Sequence, residues 1–447
     1  MEPLTLAIAV VCAVLILLVL RVPIAYSLGV SASVGLILFF GWRPGGELDV
    51  MAGLRPTLAM IGSSAFSFVH SYPMSMIPLF IGLGHVAYHA GITTDLYHAL
   101  RVLLRRLPGG LAMASVTGCA GFSAITGSSV ACAAAMGRIA VPEMLRYGYD
   151  PRLAAGSVAA GGTLGSLIPP SLLFVIYAIF TEQSVKGLFL AGVVPGLLSL
   201  AGFLVTIFVW TRLRPQHAPQ DGEAPGRTDH LAALSGLWPA CILFAVVVGG
   251  IYLGVFTPTE AAAVSLVVAI VIGYLRGRLD IKLLAEAGRE TVRQTTMIFM
   301  IALAAKVFTG FVSLSRITPM ALDWLQQSDM SFVTVLACVV VFYLIIGMFL
   351  DSIGILVLTL PFTVPLMAHY DVNLIWFGVI VIKLLEIGLM TPPIGLNVFV
   401  IKGVSPSEVT LRRVFEGAGA FLILDLMVLL LLLSIPALSL WLPNSAF

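Results

Sequence analysis

Charge is scarce in this chain. Acidic and basic residues together make up 10% of its 447 residues and hydrophobic ones 59%. A soluble chain carries about 25% charged residues, so a water-soluble globular protein is excluded. Paired cysteine is missing as well. Cys12, Cys119, Cys132, Cys241 and Cys338 all lie in apolar segments and none forms a C-x-x-C pair. Neither a disulfide framework nor a cysteine metal site is supported. The net charge of +2 holds no basic excess, and no nucleic-acid partner is expected. At the N-terminus a basic region is absent and only Glu2 is charged, so 4–20 reads as a retained helix rather than a cleaved signal peptide. The longest polar stretch is 214–230, too short to form a core.

Long uncharged apolar runs are present throughout, at 4–20, 24–41, 73–84, 187–209, 236–254, 261–275, 331–350 and 426–442. Several reach the roughly 17–25 residues that a spanning helix needs. The fold class is an all-α polytopic membrane protein in contact with the lipid bilayer. Lysine and arginine set its orientation. Basic residues cluster at Arg21, at 101–106, at 138–152, at 212–227, at 276–293 and at 402–413. Placing these in the cytoplasm leaves Arg43, Arg55, Lys186 and Arg316 outside, with Lys306 and Lys383 at membrane depth and both termini facing outward. That arrangement requires two segments, 110–141 and 331–365, to enter and leave the membrane on the same side. Such re-entrant hairpins are tolerated where they are buried in protein or line a wet cavity.

The hairpins point to an internal repeat. Pro392 and Pro393 follow Pro169 and Pro170 by 223 residues, and the same offset pairs Gly165 with Gly388, Ser129 with Ser352, and Val141-Pro142 with Val364-Pro365. The two copies come out with opposite orientation. The expected organisation is N-terminal scaffold helices at 1–45 and a first inverted repeat at 46–211, with its hairpin at 110–141 and a broken helix at 152–180. A cytoplasmic linker at 212–235 and scaffold helices at 236–272 follow. The second repeat, 273–447, has its hairpin at 331–365 and a broken helix at 373–402. The segments 95–107 and 280–294 mix basic residues with leucine at helical spacing and read as helices lying along the membrane surface.

Proline in a helix interior removes a hydrogen bond and clashes with the preceding turn. A Pro-Pro pair at matching positions of two halves therefore marks broken helices, which build midplane sites in transporters. Carbonyls freed before the break suit a cation, and the N-terminus of the next half-helix suits an anion. The hairpin tips carry matching chemistry. "SAITGSSVAC" (123–132) offers Thr126, Gly127, Ser128 and Ser129; "IGMFLDSIGI" (346–355) offers Asp351 and Ser352. A carboxylate at membrane depth is costly and points to function. Hydroxyls, carbonyls and one carboxylate suit a hard cation such as sodium. Small-residue packing is the competing role for the serines, and a structural pair with Lys383 or Lys306 the competing role for Asp351. Candidate substrate- or cation-binding residues beside the breaks are Thr163, Gly165, Ser166, Pro169 and Pro170 in the first copy. Those in the second are Glu386, Gly388, Thr391, Pro392, Pro393 and Asn397. Lys383 and Glu386, three residues apart, share a helical face and are expected to pair with each other. Glu182 and Glu260 read as first-turn carboxylates at helix N-termini. His85 and His89 have an i, i+4 spacing that permits a metal, with no third ligand evident.

"GSLIPPSLLFVIYAIFTEQSVKGLFLAGVVPGLL" (165–198), "FTPTEAAAV" (256–264), "IGMFLD" (346–351) and "EIGLMTPPIGLNVFV" (386–400) resemble the large membrane subunit of tripartite ATP-independent periplasmic (TRAP) transporters. The resemblance covers essentially the whole chain. It implies a secondary transporter in the inner membrane of a bacterium or archaeon. Such a protein takes up an organic acid, such as a C4-dicarboxylate or sialic acid, by sodium symport and an elevator mechanism. It implies two partners, a periplasmic substrate-binding protein and a small four-helix membrane subunit on a separate chain. Sodium ions are the coupling ions, and no further cofactor is implied. By the resemblance, sodium sites fall on Gly127, Ser128, Ser129 and Gly165 with Pro169, and on Asp351, Ser352, Gly388 and Thr391 with Pro392. An enzyme is not expected: "GFSA" (121–124) lacks the second glycine of a G-x-S-G motif, and no histidine is placed to serve its serine. Channel filters repeat around an oligomer axis, whereas two inverted copies in one chain favour alternating access. The alternative is a stand-alone sodium/dicarboxylate symporter.

Overall fold

A computed structural model describes residues 3–42, 48–219 and 227–446. Arg43 and residues 220–226 of the expected linker lie outside the described residues. The chain folds as two compact units.

The first unit takes residues 1–75, 293–339 and 353–374. It contains α1 (Pro3–Val19), α2 (Ile24–Gly41) and α3 (Val50–Val69). Asp49 starts α3 by accepting a hydrogen bond from the Ala52 amide at 3.0 Å, satisfying one of the orphan donors of the first turn. The apolar surfaces of this unit interlock through aromatic rings, Phe68 against Phe299 and Phe308 against Phe362.

The second unit takes residues 76–292, 340–352 and 375–447. It begins with α4 (Met76–His89), α5 (Ile92–Leu104), α6 (Gly110–Thr126), α7 (Ser129–Arg146), α8 (Pro151–Leu167), α9 (Leu172–Thr181) and α10 (Val185–Leu213). It continues with α11 (Arg227–Phe244), which passes through a π turn into the short α12 (Gly250–Tyr252), and then α13 (Pro258–Leu275). Thr257 and Glu260 close a capping box at the start of α13. Two helices run well into both units' residues, α14 (Ile281–Ser315) and α16 (Phe332–Gly347), while α15 (Ile317–Gln327) between them belongs to the first unit. Apart from Ser352, α17 (Ser352–His369) belongs to the first unit, and the second unit is completed by α18 (Leu374–Met390, from residue 375), α19 (Leu396–Val404), α20 (Leu411–Ser434) and α21 (Ala437–Ala446).

The span Pro151–Thr181 forms the centre of the second unit, with 83% of its apolar window buried. That is the expected mark of a helix sheathed by protein rather than lipid. Small residues make this sheathing possible. A side chain on Gly417 of α20 would fall 1.9 Å from the Arg152 carbonyl of α8, so the two backbones touch there. Among the described residues, eight helices are long and apolar enough to cross a membrane.

The offset of 223 recurs in the element boundaries. It carries α7 onto α17 and α8 onto α18 residue for residue, and α9 onto α19 within one residue at its start. Elsewhere the helices depart from the sequence reading. Residues 280–294 are not a separate surface helix, because nothing in 290–300 breaks the hydrogen-bond ladder; they open the 35-residue α14. The run 426–442 is not one helix either: Pro436 divides it between α20 and α21. Glu182 is the left-handed C-terminal cap of α9, with φ 55°, rather than a first-turn carboxylate. Glu260 does sit in the first turn of α13.

Candidate functional site

The two Pro-Pro pairs interrupt helices in the second unit. Pro169 and Pro170 separate α8 from α9; Pro392 and Pro393 separate α18 from α19. Both Pro-Pro peptide bonds are cis. Ser171 restarts the first broken helix as the N-cap of α9, accepting from the Phe174 amide at 3.3 Å.

The first hairpin tip docks onto the first break. Gly127 ends α6 in the left-handed region (φ 62°), and Ser128 caps α7. The Gly127 carbonyl accepts a hydrogen bond from the Leu172 amide at 3.1 Å, so the tip and the restarting helix share backbone bonding. A side chain on Gly127 would lie 2.5 Å from the Pro170 carbonyl, and one on Gly165 would lie 2.8 Å from the Ser129 amide. Both positions need glycine for contact, and Gly127 needs it for conformation as well.

Ser129 is the junction. Its hydroxyl lies 2.6 Å from the Ser166 hydroxyl, 3.4 Å from the Thr163 carbonyl and 2.9 Å from Oε1 of Glu386, to which it donates. One serine thus ties hairpin tip, first broken helix and second broken helix together. Glu386 is 1% exposed, and its Oε2 has no hydrogen-bond partner among the described residues. Asn397, at the start of α19, is fully buried, and neither its Oδ1 nor its Nδ2 has a hydrogen-bond partner among the described residues. Orphaned oxygens at burial of this degree suit a cation or a polar solute. The hydroxyls of Thr126, Thr163 and Thr391 donate back to the carbonyls of Phe122, Ala160 and Ile387, at 3.2, 2.7 and 2.7 Å. Their protons are satisfied and their oxygen lone pairs remain free to ligate a cation.

The second set is assembled differently. The atoms nearest to a side chain built on Gly388 belong to Gly347, at 2.6–2.7 Å, and not to Asp351 or Ser352. The reason is that α16 ends at Gly347, so a short turn separates the helix from Asp351. The first break is buried at Pro169, Pro170 and Ser171, whereas Pro392, Pro393 and Ile394 are exposed. The structure therefore joins Thr163, Gly165, Ser166, Ser129 and Glu386 into one cluster and leaves Thr391, Pro392 and Pro393 at an open rim.

Lys383 and Glu386 do not pair with each other. Three-residue spacing places them on one face, yet each finds a partner on a different helix. Lys383 forms an ion pair with Asp425 of α20 and donates to Ser199 of α10 at 2.9 Å; all three are buried. The same pair engages Lys383, one of the two lysines, with Lys306, that were alternative partners for Asp351. Asp425 was missed by the sequence reading. It is the only charged residue in "FLILDLMVLL" (421–430), and that isolation was the signal. His85 Nδ1 and His89 Nε2 each lie 3.0 Å from Oε2 of Glu290, an acidic partner that spacing alone did not supply.

A family model described as the tripartite ATP-independent periplasmic transporter, DctM component, matches residues 11–438. The C4-dicarboxylate TRAP transporter large permease protein DctM of Pseudomonas aeruginosa is 34% identical over 406 residues, covering 89% of this chain and 92% of that protein. The sialic acid TRAP transporter large permease protein SiaM of Vibrio cholerae is 28% identical, covering 84% of this chain and 87% of that one. The crystal structure of the Alcanivorax borkumensis YdaH transporter shares the fold, with a TM-score of 0.62 at 16% identity over 94% of this chain and 100% of that one. The homologues are permeases rather than enzymes, and the chain belongs to the DctM component family of the tripartite ATP-independent periplasmic transporters.

Proposed function

We propose that this chain is the transport subunit of a binding-protein-dependent system that takes up a small organic acid with sodium across the inner membrane. The observation that carries the reading is the Ser129 hydroxyl, which joins the hairpin tip to Ser166 and to Glu386 in the other broken helix. A site closed by a hairpin tip opens when that tip moves, and alternating access needs such a part. The two relatives named above carry a C4-dicarboxylate and sialic acid in their names, and both are carboxylates. The half-helix N-termini after each Pro-Pro break suit a carboxylate. Sodium sites at Gly127, Ser128, Ser129 and Gly165, and at Asp351, Ser352, Gly388 and Thr391, are supported by their oxygen-rich, uncharged-to-anionic character. The offset of 223 in the element boundaries supports two repeats, and the charge distribution supports their inversion, with both termini outside. An elevator motion of the hairpins and broken helices fits that symmetry. The partners are a small four-helix membrane subunit and a periplasmic substrate-binding protein.

Reconstitution tests the reading. In proteoliposomes holding this chain and the small subunit, an inward sodium gradient drives accumulation once the loaded binding protein is added outside. Equal uptake with potassium replacing sodium, at a matched proton gradient, overturns the coupling. Full uptake by this chain alone overturns the partner assignment and favours a stand-alone symporter.

A further inference from the structure

The end of α10 shapes a groove that the transport site does not use. With 29 residues, α10 is about 44 Å long at 1.5 Å per residue. That matches the roughly 40–45 Å of a bilayer with its headgroups, so the last turn of α10 reaches headgroup level. Trp210, Arg212 and Arg214 lie in and just beyond that turn, the residue types that anchor a helix at the membrane–water interface. Between this end of α10 and α20 lies an open groove of about 450 Å³. Val205, Val209 and Leu213 form one wall, Ala420 faces them from α20, and Arg214 stands at the mouth.

The groove is preformed. Trp210 lines it with an indole whose N–H is already committed, donating to Nδ1 of His217 at 3.0 Å. The Trp210 ring rests against Phe421, which packs on Phe203, so aromatic side chains fix it from behind. Thr206, the other polar lining residue near the floor, spends its hydroxyl on the Gly202 carbonyl at 3.0 Å. The interior therefore offers apolar surface with its polar atoms satisfied, which suits a hydrocarbon chain. The mouth offers a cation. Arg214 is exposed, makes no ion pair among the described residues, and no acidic side chain lines the groove. Arg212, two residues before it, holds its guanidinium over the Phe208 ring at 5.2 Å and adds a second positive charge at the same level.

We propose that this groove binds an anionic phospholipid, with an acyl chain along Val205, Val209 and Leu213 and the headgroup phosphate on the guanidinium of Arg214. An arginine fork meets a phosphate with two parallel hydrogen bonds, and a net negative headgroup adds attraction from Arg212. The occupant lies along the last turns of α10 and touches α20 at Ala420, near that helix's middle.

Native mass spectrometry of the detergent-solubilised chain tests this with added phosphatidylglycerol, phosphatidylethanolamine or inorganic phosphate. The wild type retains one phosphatidylglycerol in preference to phosphatidylethanolamine, and inorganic phosphate does not displace it. Arg214→Gln lowers occupancy of that site about tenfold, the scale of one lost charge-assisted contact. Arg214→Lys keeps part of the preference. Ala420→Phe fills the groove and removes the bound lipid whatever its headgroup. Equal retention of both lipids by the wild type, or unchanged phosphatidylglycerol binding in Arg214→Gln, overturns the proposal.

Discussion

Ser129 and Glu386 stand 257 positions apart in the chain and 2.9 Å apart in the fold. The serine begins a hairpin helix and the glutamate sits one turn before a break in another. Ser129→Ala leaves a buried carboxylate oxygen without its donor, which costs about 1–3 kcal/mol. Ser129→Thr keeps the hydroxyl and most of the stability. Pairing Ser129→Ala with Glu386→Leu costs less than the two single changes added together, because no polar atom is then left stranded. Thermal unfolding of the four proteins in detergent measures this, and strict additivity would mean that the contact contributes nothing.

Lys383 and Asp425 are 2% and 0% exposed. Asp425→Leu alone strands an ammonium in the apolar interior and costs about 3–5 kcal/mol, as does Lys383→Met alone. The double variant recovers most of that loss. Melting temperatures in the same detergent give the comparison, and a double variant no better than the singles would remove the pair from the account of stability.

Asp150 gives an acid signature outside the membrane segments. It caps α8 through the Arg152 amide at 2.8 Å, and the Arg152 guanidinium holds its carboxyl below the usual carboxylate range. A depressed folded-state value stabilises the fold above the unfolded carboxylate's pKa of about 3.9. That contribution falls away as pH drops through the depressed value. Asp150→Asn therefore lowers the melting temperature at pH 7, and the gap to wild type narrows in acid below pH 4. A gap that is constant with pH would assign the effect to the neutral cap geometry instead.

Asp351 separates coupling from structure. In reconstituted uptake, Asp351→Asn keeps expression and folding and raises the sodium concentration needed for half-maximal rate. Unchanged sodium dependence returns Asp351 to a structural role.

Accessibility tests the inversion of the repeats. In a background without the five native cysteines, single cysteines at positions 128 and 351 react with impermeant thiol reagents from opposite sides of the membrane. Reaction of both from one side only would break the inverted topology.

Much of this was legible in the sequence because it depends on local chemistry. Proline pairs end helices wherever they occur, so both breaks, the two helices before them and the following restarts were readable from position alone. The restart at Ser171 even carries its own cap. Partner choice was not legible, because it is set by helices brought together in space. Lys383 and Glu386 share a face, and nothing within α18 says that one meets α20 and the other α7. Asp425 was readable in principle as the only charge in an apolar decapeptide, but its partner was not. The continuity of α14 was hidden by its polar first turns, which resemble a surface helix until the chain beyond them is seen to keep the same ladder. The early end of α16 at Gly347 was hidden too, since the offset of 223 gives no hint that one hairpin turn is longer than the other.

The exposed second break has a practical consequence. Pro392, Pro393 and Ile394 form a stiff, apolar ridge on the surface, while their counterparts at 169–171 are covered. An antibody fragment raised against that ridge would recognise conformation rather than sequence. Its binding energy would be drawn from the state that displays the ridge, so it would favour that state, and because Pro392 and Pro393 stand among the candidate site residues it would also compete with the solute there. Such a reagent would arrest turnover at a fixed stage and report, by its own association rate, how often the free protein visits it.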